Sequence, residues 1–599
     1  MRGGVYMAEL MESFRRLAVP YWKSEDKWKA LLLLFAIVAM NLGMVYVLVE
    51  LNLWIKTFYD VLQTTNRARF VPEILRFCLL AGTYTALAVY SLYLSQMLQI
   101  RWRNWLTNEY LRQWLDDKTY YRIRFEGPAT DNPDQRISED INTYTEQTIS
   151  LAMNLLSSLV TLVSFLGILW VLSGSLAIPL GVHTTFELPG YMVWAALLYS
   201  IFGTWLTLRV GNPLVRLNFD QQRFEADFRF SLVRVRENSE PIALYGGEEQ
   251  EQTHLRNRFK TLLGNFWKIM RRQKRLSWVT NSYRQAAIIF PLLMAAPPFF
   301  SGHMPLGGLM QTVDAFAAVQ GALSYLVSSY TTIAKWRAVI DRLLGFSRTM
   351  DRLEGSELLP GVQRLSTLDK AIKLHSVSIY HPDGSPLLRN LDLSIQQGTR
   401  LLITGPSGCG KSTLIRALAG IWPFCRGKVT LPESSTILFL PQKPYLPLGT
   451  LSNALSYPRL NGYTPQDFEQ VLELCRLGYL ASSLQSEEEW SHALSPGEQQ
   501  RLAFARILLV KPDFLFLDEA TASVDEETEA ALYELLRKYL PNTAVVSVGH
   551  RGTLLAWHSE RLVFRGHSLL QLKEPPGLIP SGLAELSDGF TVPSSHWKP

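Results

Sequence analysis

Gly405-Pro406-Ser407-Gly408-Cys409-Gly410-Lys411-Ser412-Thr413 follows the apolar stretch Leu401-Leu402-Ile403 and precedes residues 414–420, which read as the start of a helix. Strand, glycine-rich turn and helix in that order make a phosphate-binding loop. The glycines let the backbone curl so that amide N–H groups surround phosphate oxygens, and the helix presents its N-terminus to the same charge. Lys411 is expected to reach the β- and γ-phosphates, and the Ser412 hydroxyl to enter a Mg²⁺ shell. The chain is therefore expected to bind a nucleoside triphosphate.

Further elements follow in the order that phosphate chemistry needs. Ile437-Leu438-Phe439-Leu440-Pro441-Gln442 reads as a strand ending in a side-chain amide that can ligand Mg²⁺ or water. Phe514-Leu515-Phe516-Leu517-Asp518-Glu519 is an apolar strand ending in two carboxylates. Strand alternation and the following turn send those carboxylates apart, so Asp518 can hold Mg²⁺ while Glu519 polarises the attacking water. His550, after the strand of residues 544–548, is a candidate for the γ-phosphate or the water. Leu494-Ser495-Pro496-Gly497-Glu498-Gln499-Gln500 opens a helix and forms a second anion site. One domain with two such sites makes sense if the second closes over a nucleotide held by another copy.

The remainder of the chain has a different composition. Its 599 residues are 47% hydrophobic and only 19% charged. That length exceeds one compact domain, and the apolar runs concentrate in the first 340 residues. Six candidate spans are residues 30–49, 74–97, 151–172, 192–210, 286–300 and 309–333. Lys27, Lys29, Arg101, Arg103, Arg271, Arg272, Lys335 and Arg337 flank them on the side where ATP is found, which is therefore cytoplasmic. The net charge of +6 is small and sits beside apolar runs, so it reads as membrane-proximal and not as nucleic-acid binding. The four cysteines lack metal-ligand spacing, and Mg²⁺ is the one metal expected. Glu50 and Gln96 are the conspicuous polar groups near span ends, readable either as lining a water-filled path or as interface residues. Residues 7–22 are readable as an amphipathic helix on the membrane face.

These motifs resemble those of ATP-binding cassette transporters. The resemblance makes Gly405 to Thr413 the Walker A loop, Gln442 the Q-loop glutamine, Leu494 to Gln500 the signature, and Phe514 to Asp518 the Walker B strand with catalytic Glu519. It also implies a D-loop at Ser523-Val524-Asp525 and a switch histidine at His550. The signature carries Pro496 where glycine is common but retains Ser495 and Gly497. For the adenine-stacking ring, the register leaves Tyr380 and His381 both open. The segments Asn132 to Ile141, containing Arg136, and Glu237 to Glu248, containing Glu240 and Gly247, resemble cytoplasmic motifs of fused transporters related to SbmA/BacA peptide-uptake proteins and peroxisomal fatty-acyl transporters. By that resemblance Arg136, Glu240, Gly247 and Glu248 lie in a coupling region.

The implied architecture is an exporter-type α-helical membrane domain of six spans, fused to an α/β P-loop cassette and working as a domain-swapped homodimer. The expected layout is an amphipathic segment 1–29, membrane domain 30–340, linker 341–369, cassette 370–568 and tail 569–599. The implied activity is ATP hydrolysis coupled to movement of a peptide-like, cobalamin-like or other amphipathic solute across a bacterial inner membrane. Export or flipping of a lipid or fatty-acyl compound is the alternative, and a membrane-tethered regulatory ATPase is the reading from a different class.

Overall fold

The computed structural model describes residues 14–125, 132–179, 185–355, 363–459, 462–566 and 568–573; residues 7–13 of the expected N-terminal helix lie outside them. Two compact units emerge. One runs to residue 116 and from 132 to 350, and the other joins residues 117–125 to the chain from 351 onward.

The first unit is helical because its apolar runs are long, and the helices continue through internal prolines such as Pro72, Pro213 and Pro291. Its long helices are Lys27–Gln63, Arg67–Leu115, Ile141–Ser173, Tyr191–Glu237, Glu248–Phe300, Leu306–Ser328 and most of Tyr330–Gly355. At 1.5 Å per residue, the 37 residues of the first cover about 55 Å, well beyond the roughly 30 Å of a hydrocarbon core. The continuous helical stretches Lys27–Gln63, Arg67–Phe125, Pro133–Ser173 and Tyr191–Glu237 are long and apolar enough to cross a membrane by length and composition. Phe35, Leu79, Val171 and Leu198 on these helices are exposed. Phe165, Leu169, Met192, Phe316 and Val319 form a buried cluster between helices.

Local chemistry sets the helix ends. Asn66 caps the second helix by accepting from Arg69 N at 3.4 Å. The expected sixth span of residues 309–333 crosses an irregularity: helix stops at Ser328 and resumes at Tyr330. Ser328 Oγ donates to Tyr325 O at 2.9 Å, the kind of local bond by which serine competes with helix. The short connection before Tyr191 carries an antiparallel ribbon, Ser175–Pro179 with Thr185–Pro189, that the sequence did not announce. Residues 14–22 bury Leu17 and Tyr21, and the Tyr21 ring stacks on Trp102 at 5.7 Å.

The second unit centres on a six-stranded sheet in the spatial order Ser568–Lys573, Glu560–Arg565, Arg400–Thr404, Ala544–Val548, Phe514–Asp518, Ile437–Leu440. Apart from the antiparallel first pair, neighbouring strands are parallel. A parallel sheet is covered on both faces, which explains why its strands read as continuous apolar runs. Leu515, Leu517 and Val545 pack with Leu502 and Phe504 on one face, while Phe514, Phe516 and Val546 pack with Leu401, Ile403 and Leu414 on the other. A four-stranded sheet of Gln363–Thr367, Cys425–Pro432, Ala371–Tyr380 and Pro386–Gln396 completes the unit.

Candidate nucleotide site

Four adjacent parallel strands deliver the site. Leu440 lies opposite Leu517, Asp518 opposite Val548, and Val548 opposite Ile403. In-register pairing puts the ends of all four strands at one edge, so Gln442, Asp518, Glu519, His550 and the loop from Gly405 all emerge together. That carboxyl edge is where open α/β sheets bind ligands.

Within the loop, Gly410 has φ +102° and a Cβ there would lie 2.5 Å from Leu387, so a side chain is excluded on two counts. Lys411 is buried, and its Nζ donates to Gly405 O and Pro406 O, each at 2.9 Å. Ser412 Oγ donates to Asp518 Oδ1 at 2.8 Å. Burial pushes the Asp518 carboxyl above its usual range, against the lowering effect of the Ser412 hydrogen bond. Glu519 has φ +48°, a left-handed backbone that costs a non-glycine residue free energy. Its amide donates to Val548 O at 3.1 Å, which holds the turn. Gln442 Nε2 donates to Glu519 Oε2 at 3.0 Å, and His550 Nε2 lies 3.1 Å from Glu519 Oε1. A buried cation among loop carbonyls, and a hydroxyl bonded to a carboxylate, fit a triphosphate and its Mg²⁺. Lys411 and Ser412 would hold the phosphates, with Ser412, Asp518 and Gln442 around the metal.

Residues 16–300 match the family description "ABC transporter transmembrane region 2", and residues 388–522 match "ABC transporter". An uncharacterized ABC transporter ATP-binding protein of Haemophilus influenzae is 36% identical, covering 92% of each chain. The chain belongs to the ABC transporter family. The transporter is also similar to the inner membrane ABC transporter ATP-binding protein YddA of Escherichia coli, at 34% identity over 90% of this chain and 95% of that one. Similarity extends to the human lysosomal cobalamin transporter ABCD4, at 28% identity over 91% and 92%. The solved structure of a bacterial Atm1-family ABC exporter with ATP bound shares the fold, with TM-score 0.71, 18% identity, and coverage of 90% of this chain and 94% of that one. The chain is thus a multi-span membrane protein with an ATP-hydrolysing cassette.

Other sequence-named residues sit apart from the phosphate loop. Ser495 caps the Pro496–Val510 helix through a reciprocal box with Glu498, its amide donating to Glu498 Oε2 at 2.8 Å. A Cβ on Gly497 would lie 3.0 Å from Ser523 O. Among the described residues, no hydrogen bond or ion pair joins Ser495 or Gly497 to the phosphate loop. Asp525 caps the Glu526–Tyr539 helix, accepting from Thr528 N at 2.8 Å, and those bonds hold its carboxyl below the usual range. Tyr380 ends its strand beneath Arg426, whose guanidinium is 5.8 Å from the ring, while the exposed His381 starts the turn back from Gly384. The two remain alternatives for the base.

Arg136, Glu240, Gly247 and Glu248 belong to the first unit. Arg136 bonds the buried Asp140 at 2.9 Å, and Arg342 grips the same carboxylate at 2.6 and 2.9 Å. Glu240 is exposed in the first turn of the short helix Ser239–Tyr245, Gly247 donates to Ile242 O, and Glu248 begins the next helix.

Several contributors lie outside the motifs or, like Gln500, were given no role of their own by the sequence. Gln500 donates to Gln442 O at 3.1 Å and accepts from Ser523 N at 2.8 Å, tying two motif loops together. Arg551 donates to Val524 O and Ala522 O and lies 3.7 Å from the buried Glu529. Residues 117–125 join the cassette unit: Lys118 Nζ donates to Ala419 O at 3.2 Å, and the Phe125 ring meets Trp422 and Phe424 edge-on at 5.4 and 5.6 Å. Arg364 bonds Leu418 O, so two cations hold the carbonyl end of the helix whose other end faces the phosphates. The one available signal was a Lys and an aromatic residue ten or fewer positions apart in a cytoplasmic connection, too common to single out.

Proposed function

We propose that two copies of this chain form a domain-swapped transporter of the bacterial inner membrane, each with six spans and a cytoplasmic cassette, which moves an amphipathic solute by ATP binding and hydrolysis. The observation that carries this reading is the convergence of Lys411, Ser412, Gln442, Asp518, Glu519 and His550 at one sheet edge in a chain with a helical membrane unit. Bound Mg²⁺ supplies charge neutralisation at the phosphates. The chain's own groups do the rest. Lys411 binds and orients the phosphates, Glu519 takes a proton from the attacking water, and His550 and Gln442 hold its two carboxylate oxygens in place.

The two-copy arrangement is supported by the separateness of the second anion site and by an uncovered helix. Ser495 and Gly497 have no partner role at their own loop, and the helix Ser239–Tyr245 leaves Leu244 and Tyr245 80% and 89% exposed. In a swapped dimer, the partner's cassette covers that helix and the partner's loop faces Ser495. Human ABCD4 is named a cobalamin transporter, which supports an amphipathic cargo of that kind.

The test uses the full chain in sealed lipid vesicles, with labelled cobalamin, peptides and lipid-like compounds and with Glu519→Gln as control. ATP-dependent accumulation by the wild type and none by the variant is expected. ATP hydrolysis with no solute moved in either vesicle orientation overturns transport in favour of a tethered regulatory ATPase.

A further inference from the structure

The membrane unit contains a cavity of about 420 Å³ between the helices Lys27–Gln63, Arg67–Leu115, Ile141–Ser173 and Leu306–Ser328. Its lining is apolar and aromatic, including Trp54, Phe77 and Phe165, with one carboxylate, Asp314. A carboxylate among hydrocarbon groups is expensive to keep and indicates use.

Asp314 is held for that use. Asn52 Nδ2 donates to Asp314 Oδ2 at 2.7 Å and to Gln311 O at 3.1 Å, and Gln311 Nε2 donates back to Asn52 Oδ1 at 3.1 Å. Asn52 is fully buried and Gln311 nearly so. The carboxylate is therefore oriented by a neutral amide, and among the described residues no Lys, Arg or His pairs with it. The guanidinium on the neighbouring helix is engaged by other carboxylates. Arg76 serves Glu50 at 3.0 Å and Glu73 at 3.9 Å, and Glu73 O accepts from the indole of Trp54, which lines the cavity. Glu50 and Glu73 thus share one guanidinium, and among the described residues that guanidinium does not reach Asp314. The Trp54 and Phe77 rings lie 4.8 Å apart and give the cavity π surface.

We propose that this cavity binds the cationic group of an amphipathic solute, with Asp314 as counter-ion and Trp54 and Phe77 as its aromatic wall. The proposal rests on the transport reading above and names the cargo's chemistry. An anionic headgroup would meet the Asp314 charge with no cation between them, and a neutral one would leave that charge held by the Asn52 amide alone. A cation over aromatic rings, paired to a carboxylate in low dielectric, satisfies both walls at once.

The test measures equilibrium binding of labelled tetraphenylphosphonium to the full chain in lipid nanodiscs without ATP. Tetraphenylborate, of the same shape and opposite charge, is the competitor. Asp314→Asn keeps an oxygen for Asn52 and removes the charge, and its affinity for the cation is expected to fall at least about tenfold. Ala318→Phe fills the cavity from its wall, leaves the carboxylate in place, and is expected to abolish binding even if the first variant folds poorly. Absence of binding by the wild type, unchanged affinity in both variants, or equal displacement by the borate overturns the proposal. Cation bound through Asp314 but never moved by ATP refutes transport and leaves the site standing. Cation moved by ATP with unchanged affinity in both variants refutes the site and leaves transport standing.

Discussion

Glu519 and Asp314 are both carboxylates at the edge of an apolar layer, and each is held by a side-chain amide: Gln442 in one case, Asn52 in the other. Around Glu519, every partner arrives on the end of a neighbouring parallel strand, so strand register alone sets the spacing. Around Asp314 the partner comes from a helix 262 residues earlier in the chain, and only side-chain packing between the two helices sets the distance. At Gly307 that packing is tight, because a Cβ there would lie 2.0 Å from Lys56 O while the Gly307 amide donates to Asp60 at 2.9 Å. Backbone-built sites tolerate changes elsewhere and fail when one side chain is changed. Packing-built sites depend on the fit of whole helices.

The sharpest way to break this contrast is Glu519→Gln. It retains the shape and the bond geometry and removes the proton acceptor, so ATP hydrolysis is expected to fall about a hundredfold or more with ATP binding intact. Phosphate release by the purified chain, alongside nucleotide binding, checks it. Near-normal turnover would mean that the strand-end cluster does not carry the reaction.

Acidification probes the cassette core next. His558 is buried, its ring within 2.7 Å of Leu554 O and 2.9 Å of Ser547 Oγ, with Tyr533 donating to the same serine at 3.0 Å. That chain suits a neutral imidazole, and burial lowers its pKa to about 4. Below pH 6.5 the unfolded chain binds the proton that the folded one refuses, so stability is full above that pH and is lost as pH falls toward 4. The loss approaches ~3 kcal/mol at the lower end. Unfolding midpoints at pH 7 and pH 5 check the direction, and His558→Asn is expected to flatten this part of the profile.

In the membrane unit, Asp140→Ala removes the carboxylate that Arg136 and Arg342 share. Orphaning buried cations is costly, but Arg342 is 40% exposed and recovers hydration, so about 2–3 kcal/mol of stability is expected to be lost. Denaturant unfolding of the full chain in detergent measures it.

These contrasts also explain what could be read beforehand. Lys411, Ser412, Asp518 and Glu519 are legible because strand, turn and helix are local, and a short apolar run followed by the right polar residue survives in any linear reading. The caps at Ser495 and Asp525 are equally local, each with its partner three residues on. Asn52, Gln311 and Asp314 carry no such signal. Each alone is an ordinary polar residue in a helix, and their meeting depends on the rotation of two helices 259 or more residues apart. Glu50, readable as lining a path or as an interface residue, is bonded to Arg76 on the next helix, a pairing that spacing along the chain does not reveal.

The smallest expected effect tests the contact where the cassette unit recruits a distant segment. Lys118 is a cation on the carbonyl end of the phosphate-loop helix, and burial together with the nearby Arg364 and Arg122 lowers its pKa, so it holds its proton less firmly than a solvated lysine. One charge-assisted bond at a helix C-terminus is worth about 0.5–1 kcal/mol. Lys118→Met keeps the aliphatic stem and removes that bond. Arg364 stays on the adjacent carbonyl, and the Phe125, Trp422 and Phe424 rings stay packed. Cassette stability is therefore expected to change little, while amide exchange in residues 117–125 rises about two- to fivefold. Exchange that rises equally throughout the cassette would show that Lys118 supports the fold as a whole, and the contrast between strand-built and packing-built contacts would then fail at this segment.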